Sequence, residues 1–216
     1  MIYNTIIFDL DGTLLDTLDD LKDSVNYALN EMGYPLRTID EVRNFVGNGV
    51  KSLLDKSVPM EISLEASEKC LEIFRGHYAI HMQDKTRPYD GVYDLLACLK
   101  KQGYKLAIVS NKNDVAVKAL CKEYYNEFIQ VAIGESSKVA KKPAPDSVYT
   151  ALLELDSTKE QSIYVGDSDV DVQTAHNAGL ICIAVTWGFR SREVLEAEGA
   201  DIIIDRPEDL MDYLRN

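Results

Sequence analysis

The chain has 216 residues, 46% hydrophobic and 27% charged, which suits one globular domain or a core with a smaller companion and excludes disordered, fibrous and disulfide-stapled chains. Its 23 Lys and Arg against 36 Asp and Glu leave a formal net charge of −13, which repels nucleic-acid backbones and anionic lipid and supplies no basic stripe to hold them. Cys70, Cys98, Cys121 and Cys182 stand apart without a C-x-x-C pair, no apolar run nears the ~18 residues of a membrane span, and residues 1–10 lack a basic leader, so a cytoplasmic protein with reduced thiols and no membrane partner is expected.

Thr5 to Phe8 is a short apolar run that stops at Asp9, the pattern of a strand buried on both faces. After it comes a long stretch without a convincing strand. Within that stretch Leu18, Leu21, Val25, Leu29 and Met32 share a helical face ending near Gly33. Thr38 with Glu41 reads as a capping box, Gly47-Asn48-Gly49-Val50-Lys51 as a polar turn, and Leu64, Cys70, Leu71, Phe74 and Tyr78 as another helical face. Three or four helices over residues 17–85 would form a small inserted domain, leaving 1–16 and 86–216 as the core.

Strands and helices then alternate. Val92, Leu95, Leu96 and Leu99 form an apolar helical face before Gly103, and Leu106 to Val109 is a strand stopping at Ser110. Ile129 to Ile133 is a further candidate strand, and Ser157 with Glu160 reads as a capping box. Ser162 to Val165 stops at Gly166 and Asp167. A helix through Val170, Ala175 and Ala178 stops at Gly179, with two more strands at Cys182 to Val185 and Ile202 to Ile204. Strands alternating with helices predict an α/β fold with a parallel sheet.

Ligands of open parallel sheets bind beyond the carboxyl ends of the strands. The residues there are Asp9, Asp11, Ser110, Asn111 and Asp167, with Asp169 and Asp171 close behind. Converging carboxylates repel one another unless a cation sits among them, and hard oxygen ligands suit Mg2+. His77 and His81 lack a glutamate placed for zinc chemistry and read as packing. Trp187, Phe189 and Arg190 come after the fifth strand and read either as a wall of the crevice or as core and rim packing.

Asp9-Leu10-Asp11-Gly12-Thr13, Ser110, Lys142-Pro143 and Gly166-Asp167-Ser168-Asp169-Val170-Asp171, in this order, resemble the four motifs of the haloacid dehalogenase superfamily. The chain looks most like its phosphoglycolate phosphatase and β-phosphoglucomutase group, which carries a helical cap after the first motif. The resemblance implies a Rossmann-like core and a Mg2+-dependent phosphomonoester hydrolase acting on a small phosphorylated metabolite. Asp9 would be the nucleophile, forming an aspartyl phosphate, and Asp11 the general acid and base. Gly12 would permit a sharp turn, Thr13 would support the loop, and Ser110 and Asn111 would donate to the phosphoryl group beside a helix N-terminus. Lys142, favoured over Lys141 by its place before proline, would supply a cation. Asp9, Asp11 (through its carbonyl) and Asp167 would hold the metal, and Asp171 would orient the metal or Lys142. Asn48, Gly49 and Lys51 would contact the leaving group, or the turn is only interhelical. A phosphomutase, a pyrophosphatase and, outside enzymes, a phosphorylatable or partner-binding module are the alternatives.

Overall fold

The computed structural model describes residues 3–215. Met1 and Ile2, on which the leader-free reading of residues 1–10 also rests, lie outside the described residues. In chain order the elements are β1 (Thr5–Phe8), β2 (Leu15–Asp16), α1 (Leu18–Glu31), α2 (Ile39–Phe45), α3 (Gly49–Ser57), α4 (Leu64–His81), β3 (Arg87–Pro88), α5 (Val92–Lys101), β4 (Lys105–Asn113), α6 (Asp114–Leu120), β5 (Val131–Glu135), α7 (Asp146–Glu154), β6 (Ser162–Gly166), α8 (Asp169–Ala178), β7 (Ile181–Val185), α9 (Arg192–Ala197), β8 (Ile202–Ile204) and α10 (Pro207–Arg215).

Six strands form one sheet in the order β5-β4-β1-β6-β7-β8, with every pairing parallel. The cause lies in the short β-branched runs: β1, β6 and nearly all of β4 and β7 are buried, so helices must cover both faces. On one face Ile7, Ala107, Val109, Tyr164, Cys182 and Ala184 pack with Val148, Ala151 and Leu152 of α7 and Val172, Ala175 and Ala178 of α8. Phe8 pairs with Ile108 of β4 and Val165 of β6. Asp9, the irregular stretch of β4 after Val109, and Gly166-Asp167 therefore emerge at one level, on both sides of the strand where chain order reverses.

Contacts divide the chain into two compact units, one of residues up to Leu15 together with those from Pro88 onward, the other Asp16–Arg87. In the second, α1 packs on α2 and α4, and α3 on α2 and α4. Leu21, Val25, Leu29, Val42, Leu53, Leu54, Cys70, Phe74 and Tyr78 are buried. The buried carboxylate of Asp20 closes this unit by accepting the backbone N–H groups of Lys85 (3.0 and 3.1 Å) and Thr86 (2.8 Å). The Thr38–Glu41 capping box forms in full, and Gly179 ends α8 at φ 74°.

Several local expectations need correction. Leu64 opens α4 but is exposed, because the first turn of that helix lies beyond the packed face. The strand expected from Ile129 starts at Val131, since the Ile129 N–H is taken by Tyr125 O at 3.0 Å, where a wide helical turn ends. Ser157 caps nothing. Its hydroxyl bonds Thr5 Oγ1 (2.6 Å) and Ser162 Oγ (3.3 Å), and Thr158 precedes the single tight turn before β6. The cysteines are free thiols, with Cys70, Cys121 and Cys182 buried. Among the described residues no helix is long and apolar enough to cross a membrane.

Candidate active site

The site is built where β1, β4 and β6 end. As the chain leaves β1, Thr13, Leu14 and Leu15 all turn their N–H groups onto Leu10 O, and Gly12 N–H bonds Leu15 O at 2.9 Å. Gly12 sits at φ 89°, where a side chain is strained, and a Cβ there would lie 2.3 Å from Asp167 Oδ2. Two further glycines likewise leave no room for a Cβ, though without a positive φ. A Cβ on Gly166 would fall 2.4 Å from Asp171, and one on Gly188 would fall 2.3 Å from Asp167. Backbone thus approaches the two aspartates from three directions, closer than any side chain permits.

Asp9, Asp167 and Asp171 are buried and offer carboxylate oxygens that all lie within 4.8 Å of one another. Lys142, 2% exposed, reaches into them: Nζ is 2.8 Å from Asp9 Oδ1 and 2.7 Å from Asp171 Oδ1, and it donates to Tyr164 Oη at 3.0 Å. Lys141 is exposed. Asn111 holds Lys142 in place, accepting its N–H at 2.8 Å and donating to its carbonyl at 3.0 Å. The Asn111 side-chain amide is thereby engaged with the Lys142 backbone. β4 continues to Asn113 and α6 starts only at Asp114, so Ser110 and Asn111 lie within the strand, ahead of the helix N-terminus. Ser110, buried, accepts Lys112 N–H at 3.2 Å through its hydroxyl oxygen.

The three clustered aspartates differ in what remains for a ligand. An ionised carboxylate has about four acceptor positions. Those of Asp171 are used by Lys142 and by Tyr164 Oη (3.0 Å) on Oδ1, and by the N–H (3.1 Å) and hydroxyl (2.6 Å) of Ser168 on Oδ2. Asp167 receives one donor on each oxygen, Thr13 Oγ1 at 3.1 Å and Phe189 N–H at 2.7 Å. Asp9 Oδ1 has, among the described residues, only the ammonium of Lys142 beside it, at 2.8 Å, and no other donor. Open acceptor positions therefore belong to Asp9 and Asp167, whereas Asp171 is saturated.

Burial, and then the charge of Asp171, push the Asp9 carboxyl up from 3.8 to about 7 despite Lys142. Burial and the charges of Asp171 and Asp9 hold Asp167 well above the usual carboxylate range. Burial works against the Lys142 ammonium, but Asp171 and Asp9 outweigh it and keep it charged. Carboxylates that resist ionising together, with open oxygen positions, fit a hard divalent cation.

Asp11 does not join this cluster through its carboxylate. Both of its oxygens accept from Lys112 Nζ, at 2.9 and 3.0 Å, so the expected ligand set of Asp9, Asp11 and Asp167 is limited, for Asp11, to its backbone. Lys112, Tyr164, Gly188 and the Phe189 amide escape sequence reasoning. Trp187 Nε1 donates to Thr13 O at 3.0 Å, and Arg190 pairs with Asp169 at 3.0 Å. Asn48, Gly49 and Lys51 lie in the helical unit, where Asn48 precedes α3, Gly49 opens it, and Lys51 pairs with Asp55 at 3.0 Å. His77 stacks between Tyr27 and His81, with ring centroids 4.2 Å from each.

A family model described as haloacid dehalogenase-like hydrolase matches residues 6–185. The chain is 34% identical to a phosphoglycolate phosphatase of Pseudomonas putida, covering 93% of this chain and 75% of that protein. It is 32% identical to the phosphoglycolate phosphatase of Aquifex aeolicus, covering 98% and 96%. A crystal structure from Lactobacillus delbrueckii subsp. bulgaricus superposes with a TM-score of 0.92 at 36% identity, covering 99% and 98% of the two chains.

Proposed function

This chain belongs to the haloacid dehalogenase-like hydrolases, and from that membership we propose that it is a phosphatase that removes the phosphoryl group from a small metabolite by way of an aspartyl phosphate on Asp9. Phosphoglycolate is the substrate its relatives suggest. The observation that carries the reading is the convergence of Asp9, Asp167 and Lys142 at the ends of β1 and β6, with Asp11 held separately two residues on.

Asp9 attacks phosphorus in line, and the bond to the ester oxygen breaks as the bond to Asp9 forms. Asp11 gives a proton to the departing oxygen, then takes one from the water that attacks the phosphorylated Asp9, so its carboxyl ends each cycle as it began. Lys142 neutralises charge on the transferring oxygens. Its aim is set by Asp171, Tyr164 and the Asn111 amide. Ser110, in β4 where the pairing register shifts, supplies a hydroxyl to the same oxygens. Asp9 and Asp167, with the Asp11 carbonyl, would hold Mg2+, which supplies positive charge to offset the approaching phosphate dianion.

Acid quenching of a reaction with 32P-labelled ester, followed by peptide mapping, tests this. Label on the peptide containing Asp9 is expected. Steady turnover with no label on that peptide at any quench time, together with activity retained in Asp9→Asn, overturns the assignment.

A further inference from the structure

Lys112 takes no part in phosphoryl transfer as described for Asp9, Asp11 and Lys142, yet it is one of two buried lysines at the site. It lies near the end of β4, two residues past Ser110, with a side chain only 4% exposed. An ammonium is costly to bury without a partner, and both oxygens of Asp11 provide one, at 2.9 and 3.0 Å. Two lysines from different segments thus divide the first motif, Lys142 against Asp9 and Lys112 against Asp11. If Asp9 faces phosphorus and Asp11 faces the ester oxygen, Lys142 is the cation of the phosphoryl side and Lys112 the cation of the leaving-group side.

Resting on the phosphatase reading, we propose that Lys112 is a specificity-determining residue whose ammonium receives an anionic group on the alcohol half of the ester, a carboxylate one or two carbons from the ester oxygen, while keeping Asp11 aimed at that oxygen. An ammonium has three rotatable donors. Exchanging one of its two bonds to Asp11 for a bond to the substrate leaves Asp11 tethered by the other, so recognition and aim are held by the same group. The protein's net charge of −13 repels a polyanionic ester. A carboxylated substrate therefore needs a local cation besides the one committed to the phosphoryl oxygens. A neutral alcohol offers Lys112 nothing in exchange for an Asp11 bond, which makes the residue a selector as well as a support.

The test compares 2-phosphoglycolate with ethyl phosphate, which lacks the carboxylate, using full-length Mg2+-loaded wild type, Lys112→Met and Lys112→Arg. Wild type is expected to prefer 2-phosphoglycolate. In Lys112→Met the ratio of the two kcat/KM values should fall by roughly tenfold or more, chiefly through a raised KM for 2-phosphoglycolate, and Lys112→Arg should recover part of the lost ratio. A role confined to supporting the fold lowers both esters alike, so a ratio that stays within about twofold of wild type overturns the inference. Should Lys112→Met fail to fold, the two esters are compared as competitors of p-nitrophenyl phosphate hydrolysis by wild type and Lys112→Arg, where identical selectivity is the overturning result. A wild type that hydrolyses none of these esters overturns the phosphatase reading and this inference with it, whereas an active enzyme with an unchanged ratio overturns only the role of Lys112.

Discussion

Asp9→Asn should abolish turnover and, in metal-free protein, raise stability. In the unfolded chain this carboxyl titrates near 3.8, and in the fold burial and Asp171 place it at about 7. Between those values the folded state keeps a proton that the unfolded state has released, so stability falls as pH rises through the window and the loss is complete above about pH 7. At about 1.36 kcal/mol for each tenfold change in proton affinity, the shift costs the fold about 4 kcal/mol at pH 8, where the buried side chain is ionised, and about 2 kcal/mol at pH 5, where the fold must keep it protonated. Asparagine has nearly the same shape, carries no charge at any of these pH values, and removes that cost. For a chain of this size about 4 kcal/mol corresponds to a Tm increase of roughly 8–16 °C. Thermal unfolding of both proteins in EDTA at pH 5 and pH 8 measures it. Saturating Mg2+ should shrink the gap, because binding to the native state stabilises wild type by mass action while the variant lacks an anionic ligand. A variant no more stable than wild type at pH 8 in EDTA would refute the argument that Asp9 is held ionised against its surroundings.

Three other outcomes are expected. Stripping with EDTA should abolish phosphate release and Mg2+ should restore it; full activity after exhaustive chelation and dialysis contradicts Asp9 and Asp167 as ligands. Asp11→Asn should slow single-turnover transfer from alkyl phosphates far more than from p-nitrophenyl phosphate, since a nitrophenolate leaves without a proton; equal losses remove the leaving-group acid role. Gly12→Ala should cost at least about 1–2 kcal/mol in denaturant unfolding from its φ of 89°, and more than about a hundredfold in kcat because its Cβ would displace the Asp167 carboxylate; near-native kcat would show that the turn adapts.

Much of this protein is legible from residue order. Short β-branched runs must be buried on both faces, so Thr5 to Phe8, Ser162 to Val165 and Cys182 to Val185 declare themselves as strands of a parallel sheet. The residue next after a strand in such a sheet lies at its carboxyl end, and Asp9 and Asp167 announce themselves by that position; Ser110 ends the apolar run but not the strand, which runs on to Asn113 with a shift in pairing register after Val109. Helix stops are equally local, because Gly179 relieves a left-handed residue at the very place where the apolar face ends. Whether Ser157 or Thr158 precedes a turn was not legible, because the choice depends on Thr5 and Ser162, which arrive from other strands. The division of labour within the site was hidden for the same reason. Nothing adjacent to Lys112 marks it as the partner of Asp11, 101 residues away in the chain. Likewise the Phe189 amide that holds Asp167, the Gly188 that clears space for it, and the Asn111 side chain that fixes Lys142 are set by how segments distant in the chain meet. Local sequence determines the strands and their polar ends because burial and backbone conformation act over a few residues. Which of those polar ends touch was decided only by sheet register and crossover, which bring distant side chains within hydrogen-bond distance.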